Sequence, residues 1–298
     1  MSSHEWPALP FPEWEATCDT LHLWAQMAGK TRMALTPLQN HWWNVPLYVT
    51  PRGLNTSPIP YGRKTFEVDF DFIAHKLAIK ASDGVEHGIP MFPRSVADFY
   101  KEYMACLRSL GIEVNINREP AEFPDTTPFD QDHHHASYDK KHVENFHHIL
   151  VNTDQVLKRF RSRFLGKCSP VHFFWGSFDL ALTFFSGRPA PLPENVDSIT
   201  REAYSHEVIS FGFWPGDVNF PQAAFYSYTK PAPAGLEKQA LRPAAAYWDT
   251  KMGEFLLKYD DVRAASIPDQ AILDFCQSTY EAGANLARWD RNALERPR

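Results

Sequence analysis

Three polar runs interrupt an apolar, aromatic-rich chain, and each carries residue types able to move a proton or hold a metal. His133, His134 and His135 precede Ala136, Ser137, Tyr138 and Asp139 at the entry to a helical stretch, which sets imidazoles beside the positively polarised end of a helix. Three consecutive histidines cannot all point one way, so at most one or two could ligate a metal, and other ligands must come from elsewhere. The same run also fits plain capping chemistry, with Ser137 as N-cap, Asp139 complementing the dipole and the histidines in a polar loop.

His172-Phe173-Phe174-Trp175-Gly176-Ser177-Phe178-Asp179 places polar groups within an apolar strand, where a buried charge needs partners. Strict alternation sends Trp175, Ser177 and Asp179 to one face and His172 to the other, unless Gly176 marks a bulge that resets the register. Ser205-His206-Glu207 opens a strand in which Glu207 alternates in phase with Ile209, Phe211 and Phe213. A carboxyl on that face has its pKa raised or is held ionised by a His or Arg, which makes Glu207 the leading candidate for a general acid or base. At a strand end it can equally escape to solvent. The ladder Glu67, Asp69, Asp71 reads as a solvated outer face that discourages edge pairing, in preference to a divalent-cation site. Trp42, Trp43, Trp175, Trp214, Tyr226 and Tyr228 could line a substrate pocket or fill the core. No Gly-rich phosphate loop, Gly-x-Ser-x-Gly elbow or His-Glu-x-x-His helix occurs, which leaves no NAD, ATP or flavin signature.

Regular elements must position these groups. From Ser95 to Leu110, Val96, Phe99, Tyr100, Tyr103, Leu107 and Leu110 keep helical spacing, with a Ser95-x-x-Asp98 capping box and Gly111 as the stop. A longer helix reads from Tyr138 to Leu165, ending at Gly166, and a third from Pro268 to Trp289 with Ser266 and Asp269 as its cap. Trp14 to Ala28 carries a fainter helical signal. Between them the period falls to two, most clearly at Phe66, Val68, Phe70 and Phe72, and further strands are expected at 44–50, 76–81, 172–185, 207–214, 224–229 and 254–259.

Few neighbouring strands have a helix between them to make a parallel crossover, so the expected fold is α+β, antiparallel sheets with flanking helices. Gly29-Lys30 leads to His41-Trp42-Trp43 and strands that end in a Ser-capped helix; Gly166-Lys167 leads likewise to His172-Phe173-Phe174-Trp175 and a second such helix. The pattern suggests a tandem duplication within one compact unit, 1–298, with halves at 14–125 and 166–298 joined by helix 138–165. Convergent capping is the alternative. A cleft is expected at the junction, with Pro-rich segments 187–193 and 231–243 as surface loops over it.

At 298 residues, 44% hydrophobic and 14% aromatic, the chain is a folded protein and not a disordered one. Its 30 basic and 36 acidic residues give a net charge of −6 without a long basic run, which argues against nucleic acid as partner. Cys18, Cys106, Cys168 and Cys276 are widely spaced, as expected of reduced, mostly buried thiols. Met1–Leu9 holds His4, Glu5 and Pro7 and lacks a leader pattern; Val171–Phe185 is broken by His172, Gly176 and Asp179. A cytoplasmic protein with no membrane partner is expected.

Asn40-His41-Trp42-Trp43, Phe70-Asp71-Phe72-Ile73, His135-Ala136-Ser137-Tyr138-Asp139, Ser169 through Asp179, Ser205-His206-Glu207, Gly212-Phe213-Trp214-Pro215-Gly216 and Trp289-Asp290-Arg291 together resemble the bacterial family of unknown function numbered 5996 over nearly the whole length. One departure is Phe184, where the family pattern implies an Arg before Phe185-Ser186-Gly187-Arg188. The resemblance implies no activity or cofactor, but its motifs fall on the polar positions above.

The expected protein is therefore an enzyme acting on a small molecule in an aromatic-lined cleft by His and carboxylate acid–base chemistry. The catalytic pool is His135, Asp139, His172, Asp179, His206 and Glu207, with Trp43, Ser137, Tyr138, Trp175, Ser177, Trp214, Tyr226 and Tyr228 around the substrate. A metal-assisted version would place a divalent transition metal on two or three of His135, His172, His206 and Glu207. The alternative is a non-catalytic small-molecule-binding or assembly protein whose polar motifs are structural.

Overall fold

The computed structural model describes residues 6–191 and 194–297. His4 and Glu5 and part of the Pro-rich 187–193 segment lie outside them. The first helix, α1 (Phe11–Leu35), extends the fainter N-terminal signal at both ends. Pro12 sits in its first turn, where a missing N–H costs no hydrogen bond. Every residue from Thr20 to Arg32 is buried, and a helix buried all round shows no apolar stripe. Thr20 and Thr31 donate their hydroxyls to the carbonyls of Ala16 and Met27 at 2.9 Å, so their polarity is absorbed within the helix.

The first sheet holds β1 (Tyr48–Thr50), β2 (Gly53–Asn55), β3 (Ile59–Tyr61), β4 (Lys64–Asp71), β5 (Lys76–Ala81) and β6 (Glu86–Pro90). Its order is β1-β2-β4-β5-β6, with β3 also paired to β4. Phe66, Val68 and Phe70 are buried, while Glu67, Asp69 and Asp71 lie half-buried on the other face. Lys80 on β5 pairs with Asp69 and, at 3.8 Å, with Glu67; Arg52 reaches Asp71 at 2.7 Å.

Two amphipathic helices follow. In α2 (Val96–Ser109) Ser95 is the N-cap, accepting from Asp98 N at 3.1 Å while its hydroxyl donates to the Asp98 carboxylate at 2.8 Å. The N-cap of α3 (Lys140–Arg161) is Asp139, which accepts from His142 N at 3.0 Å. Ser137, expected to cap, instead donates its own N–H to Thr20 Oγ1 at 3.1 Å.

The second sheet comprises β7 (His172–Phe174), β8 (Asp179–Pro189), β9 (His206–Trp214), β10 (Ala224–Lys230), β11 (Tyr247–Asp249) and β12 (Glu254–Lys258), in the order β11-β12-β10-β9-β8-β7. The short α4 (Ser198–Ala203) lies between β8 and β9, and α5 (Tyr259–Ala264), α6 (Pro268–Leu286) and α7 (Arg291–Leu294) complete the chain. All described pairings in both sheets are antiparallel, and the fold is α+β.

The expected strand 172–185 is a hairpin that reverses at 175–178, so that His172 pairs with Ala181 and Phe174 with Asp179. His172 and Asp179 consequently share a sheet face. α6 has no side-chain cap; Asp269 accepts instead from Trp6 Nε1 at 3.3 Å and pairs with Arg159 at 3.2 Å.

Leu180, Leu182, Phe184, Ile209, Phe211, Phe213 and Phe225 form the buried face of the second sheet, covered by α3 and α6. Phe184 stacks on Phe164 with ring centroids 4.1 Å apart, so the position where a cation was expected is core. Leu47 and Phe173 exchange backbone hydrogen bonds of 2.8 and 2.9 Å, linking the halves. Their buried apolar residues form one continuous cluster. The 231–243 segment lies along α6, where Ser278 Oγ accepts from Arg242 N at 3.0 Å and Leu236 is buried, and not over the cleft described next. Cys18 and Cys276 are buried, Cys106 and Cys168 half-buried, and all four are free thiols.

Candidate functional site

The face of the second sheet turned away from α3 and α6 is the wall of a cavity of about 780 Å³. The alternation that buries Leu180, Leu182 and Phe211 sends Asp179, Ala181 and Thr183 of β8, Val208 and Ser210 of β9, Tyr226 and Tyr228 of β10 and Glu254 of β12 into it. The opposite walls are the 41–45 turn, α4 with Tyr204, and the irregular segment around Asn117–Glu122.

Asp179 is only 7% exposed. Ser177 Oγ donates to one of its oxygens and the Tyr226 hydroxyl to the other. Burial pushes its pKa up, and these two donors only partly oppose the rise. Burial lifts Glu254 to about 7, with Lys230 pulling it down and Asp179 and Asp249 pushing it further up. Glu122 is raised by burial and then by Asp179. Three carboxyl groups therefore share one cavity, and Asp179 disfavours the charge of the other two. Burial and neighbouring acids also raise Tyr226 and Tyr228 far above an ordinary phenol, so both stay hydrogen-bond donors. Tyr204 and Tyr228 hydroxyls meet at 3.1 Å, as do those of Thr183 and Ser210.

His22 of α1 sets the turn that carries Ser177. Its Nε2 lies 2.9 Å from the carbonyls of both Trp175 and Gly176, so Nε2 carries the proton and donates. Burial lowers its pKa to about 4 and keeps the ring neutral. Trp175 packs on Gly29, where any Cβ would overlap the indole, and donates from Nε1 to Val45 O at 3.0 Å. At the cavity rim His41 donates through Nδ1 to Glu202 O at 3.1 Å and accepts at Nε2 from Lys167 at 2.7 Å.

A neighbouring cavity of about 760 Å³ shares Glu122, Ser177 and Trp214 with the first and is lined by Glu15, Asp19, Asp217 and His135. Burial raises Asp19 to about 6, opposed by His135 and reinforced by Glu15 and Asp217.

The residues expected from sequence divide between these places. Asp179, Trp43, Trp175, Ser177, Trp214, Tyr226 and Tyr228 come together at the larger cavity. His135 lines the smaller one, where its Nδ1 meets Asp132 at 2.8 Å; carbonyls of His135 and Asp132 accept from Val96 N and Ala97 N, capping α2. Asp139 caps α3. Tyr138 is buried against Trp24, its hydroxyl 3.1 Å from His75 Nδ1. Neither Ser137 nor Tyr138 lines a described cavity.

His172 is 1% exposed, boxed by Trp43, Tyr48 and Phe174, and neither ring nitrogen has a partner. Burial, then Arg32 and Arg161, lower its pKa to about 3. His206 meets Ser205 Oγ at 3.1 Å and the edge of His41. Glu207 lies on the opposite face of β9 from the cavity, gripped by Arg188 at 2.7 and 2.9 Å; Arg188 also donates to Ala287 O and Arg288 O at the end of α6. His135, His172, His206 and Glu207 thus do not form one site, and among the described residues no three His, Cys, Asp or Glu side chains are placed to hold a metal ion.

Sequence reading missed Glu254, Glu122, Ser210, Tyr204 and Lys30 at the larger cavity. Ser210 and Glu254 had a signal, since each is polar on a strand whose alternate residues are core. Glu122, in an irregular segment, had none.

The fold and cavity define an α+β protein with a deep aromatic and acidic cleft on one face of an antiparallel sheet. The chain belongs to the Family of unknown function (DUF5996), whose model matches residues 6–296. No curated protein and no solved structure matches it. Among the described residues no helix is long and apolar enough to cross a membrane.

Proposed function

We propose that the protein is an enzyme that transfers a proton on a small molecule bound in the larger cavity. The carrying observation is Asp179, a buried carboxyl held by Ser177 and Tyr226 at the cavity wall, with Glu254 poised near neutrality on the same wall. A base and an acid work best with pKa values near ambient pH, and burial supplies that tuning here. In this reading Asp179 takes the proton, Glu254 returns one, and Ser177 and Tyr226 fix the Asp179 oxygens. Trp43, Trp175 and Trp214 supply apolar walls that exclude water.

The test is a metabolite mixture incubated with purified protein and followed by mass spectrometry. Wild type should deplete one component, and Asp179→Asn, matched for fold by circular dichroism, should lose roughly a hundredfold or more in rate. Equal turnover by Asp179→Asn and Glu254→Gln would remove these residues from the chemistry. A component bound and never converted would make the protein a binder.

A further inference from the structure

The larger cavity has an unbalanced charge inventory. Asp179, Glu254 and Glu122 face it, and the partners of Asp179 are the neutral hydroxyls of Ser177 and Tyr226. The side-chain carboxyl groups of Glu254 and Glu122 make no hydrogen bond or ion pair with any described residue. Lys30 is the one Lys or Arg among the described lining residues, and it does not answer them: its ammonium donates to Glu119 O and sits 5.1 Å from the Phe129 ring centroid. A buried carboxyl without a cation holds its proton, and a cation placed beside it favours the ionised form.

The remaining wall is aromatic. Trp43, Trp175 and Trp214 join Tyr204, Tyr226 and Tyr228, and the last two rings lie parallel within 6°, their centroids 6.1 Å apart. Ring faces carry negative potential and attract cations, with Trp the strongest. Carboxylates and ring faces favour the same sign of ligand. A carboxylate or phosphate would meet repulsion from both, and a neutral polyol would leave the acids uncompensated.

We infer that the ligand of this cavity is an organic cation, an alkylammonium group seated against the aromatic wall with Asp179 and Glu254 as its counter-ions. The inference rests on the cavity being the site proposed above and names its substrate class. Binding a cation favours the ionised carboxyls, so protons leave the protein and affinity rises with pH until Glu254 is ionised. The groups acting on Glu254 are Lys230, Asp179, Asp249, Tyr204 and Tyr226. Lys230, the lone cation among them, lies on the neighbouring strand and is exposed.

Isothermal titration of the full chain with benzylammonium and spermidine, against benzyl alcohol and benzoate, tests this. At about pH 8 at least one amine should bind roughly tenfold or more tighter than benzyl alcohol, with benzoate weakest. Its affinity should fall on going to about pH 5.5, and titrations in two buffers of different ionisation enthalpy should show proton release. Glu254→Gln should weaken the amine about tenfold and leave benzyl alcohol unchanged. The inference is overturned if neither amine binds at ~10 mM, if benzyl alcohol binds as well, or if Glu254→Gln and low pH leave amine affinity unmoved. A neutral compound turned over by wild type and not by Asp179→Asn would overturn the cation while leaving the proton-transfer reading in place.

Discussion

Tyr226 crosses β9 over the bare Cα of Gly212 to reach Asp179 on β8. The register pairs Tyr226 with Gly212 and Gly212 with Ala181, and any Cβ at Gly212 would overlap the Tyr226 ring, its hydroxyl and the Leu180 carbonyl. The glycine is there for this close approach. It ties two carboxylate-facing strands through a third.

Gly212→Ala should therefore detach Tyr226 from Asp179. Overpacking of this kind costs about 1–3 kcal/mol, which a urea melt would read as a lower midpoint at unchanged slope. Turnover of the substrate found by screening should fall with it. An unshifted midpoint would mean that the strand and Tyr226 yield without cost.

Tyr226→Phe keeps the ring and removes the donor from Asp179. A buried acceptor left short of a partner costs about 1–3 kcal/mol. The lost donor favoured the ionised form, so Asp179 should titrate higher still. The folded state then holds its proton to higher pH than the unfolded chain, and the stability loss grows as pH rises above the ordinary Asp range. Midpoints at pH about 5 and about 8 should differ more for the variant than for wild type.

How much of this was legible depended on burial. α2 and α3 showed apolar stripes and could be placed to within a few residues, whereas α1 gave only the fainter signal at 14–28, because residues 20–32 are buried on every side. At 175–178 Gly176 signalled only a possible register reset; the full reversal also rests on His22, more than a hundred residues away, which binds the carbonyls of Trp175 and Gly176. Glu207 showed the correct phase with Phe211, and that phase is why it misses the site: the large apolar residues mark the helix-covered face, and the cavity takes the small and polar ones. The aromatics Trp43, Trp175, Trp214, Tyr226 and Tyr228 could be named as a group, but only the register brought them to Asp179. Glu122 has a positive φ of 52° in an irregular segment, where no period operates.

Glu254 should make the protein less stable as pH rises. Its folded pKa of about 7 stands above the ordinary glutamate value of 4.5, so between those values the folded state holds the proton more tightly than the unfolded chain. Stability is highest below about pH 4.5 and falls until Glu254 is ionised. Glu254→Gln should remove that slope and raise the melting temperature at pH about 8, the gain in stability being at most about 3.5 kcal/mol at 1.4 kcal/mol per unit, less what solvent at the cavity mouth screens. A wild-type slope left intact in the variant would place the titration elsewhere.

Asp139 acts on α3 through its side chain at the N-terminus, with Asp139 Oδ1 3.0 Å from His142 N. Asp139→Ala should cost about 1 kcal/mol and Asp139→Ser should recover most of it, because either oxygen can serve as cap. Rate per folded molecule should be the same in all three. A fall in rate that Ser does not rescue would give the carboxylate a chemical role.

His172 is packed as an aromatic ring and not as a base. Trp43, Tyr48 and Phe174 meet it edge-on at 5.5 to 5.9 Å, and both nitrogens are without partners. With its pKa lowered to about 3 in the fold, the unfolded chain binds the proton first as pH drops below the usual histidine value. Stability is thus full above about pH 6.5 and is lost progressively toward pH 3. His172→Phe keeps the shape, removes two unpaired polar atoms and cannot be protonated, so it should stabilise by about 1 kcal/mol or more near neutrality. It should also flatten the acid limb of a denaturation series. A large destabilisation instead would show that a ring nitrogen makes a hydrogen bond essential to the fold, and loss of turnover in a stable His172→Phe protein would return His172 to the catalytic pool.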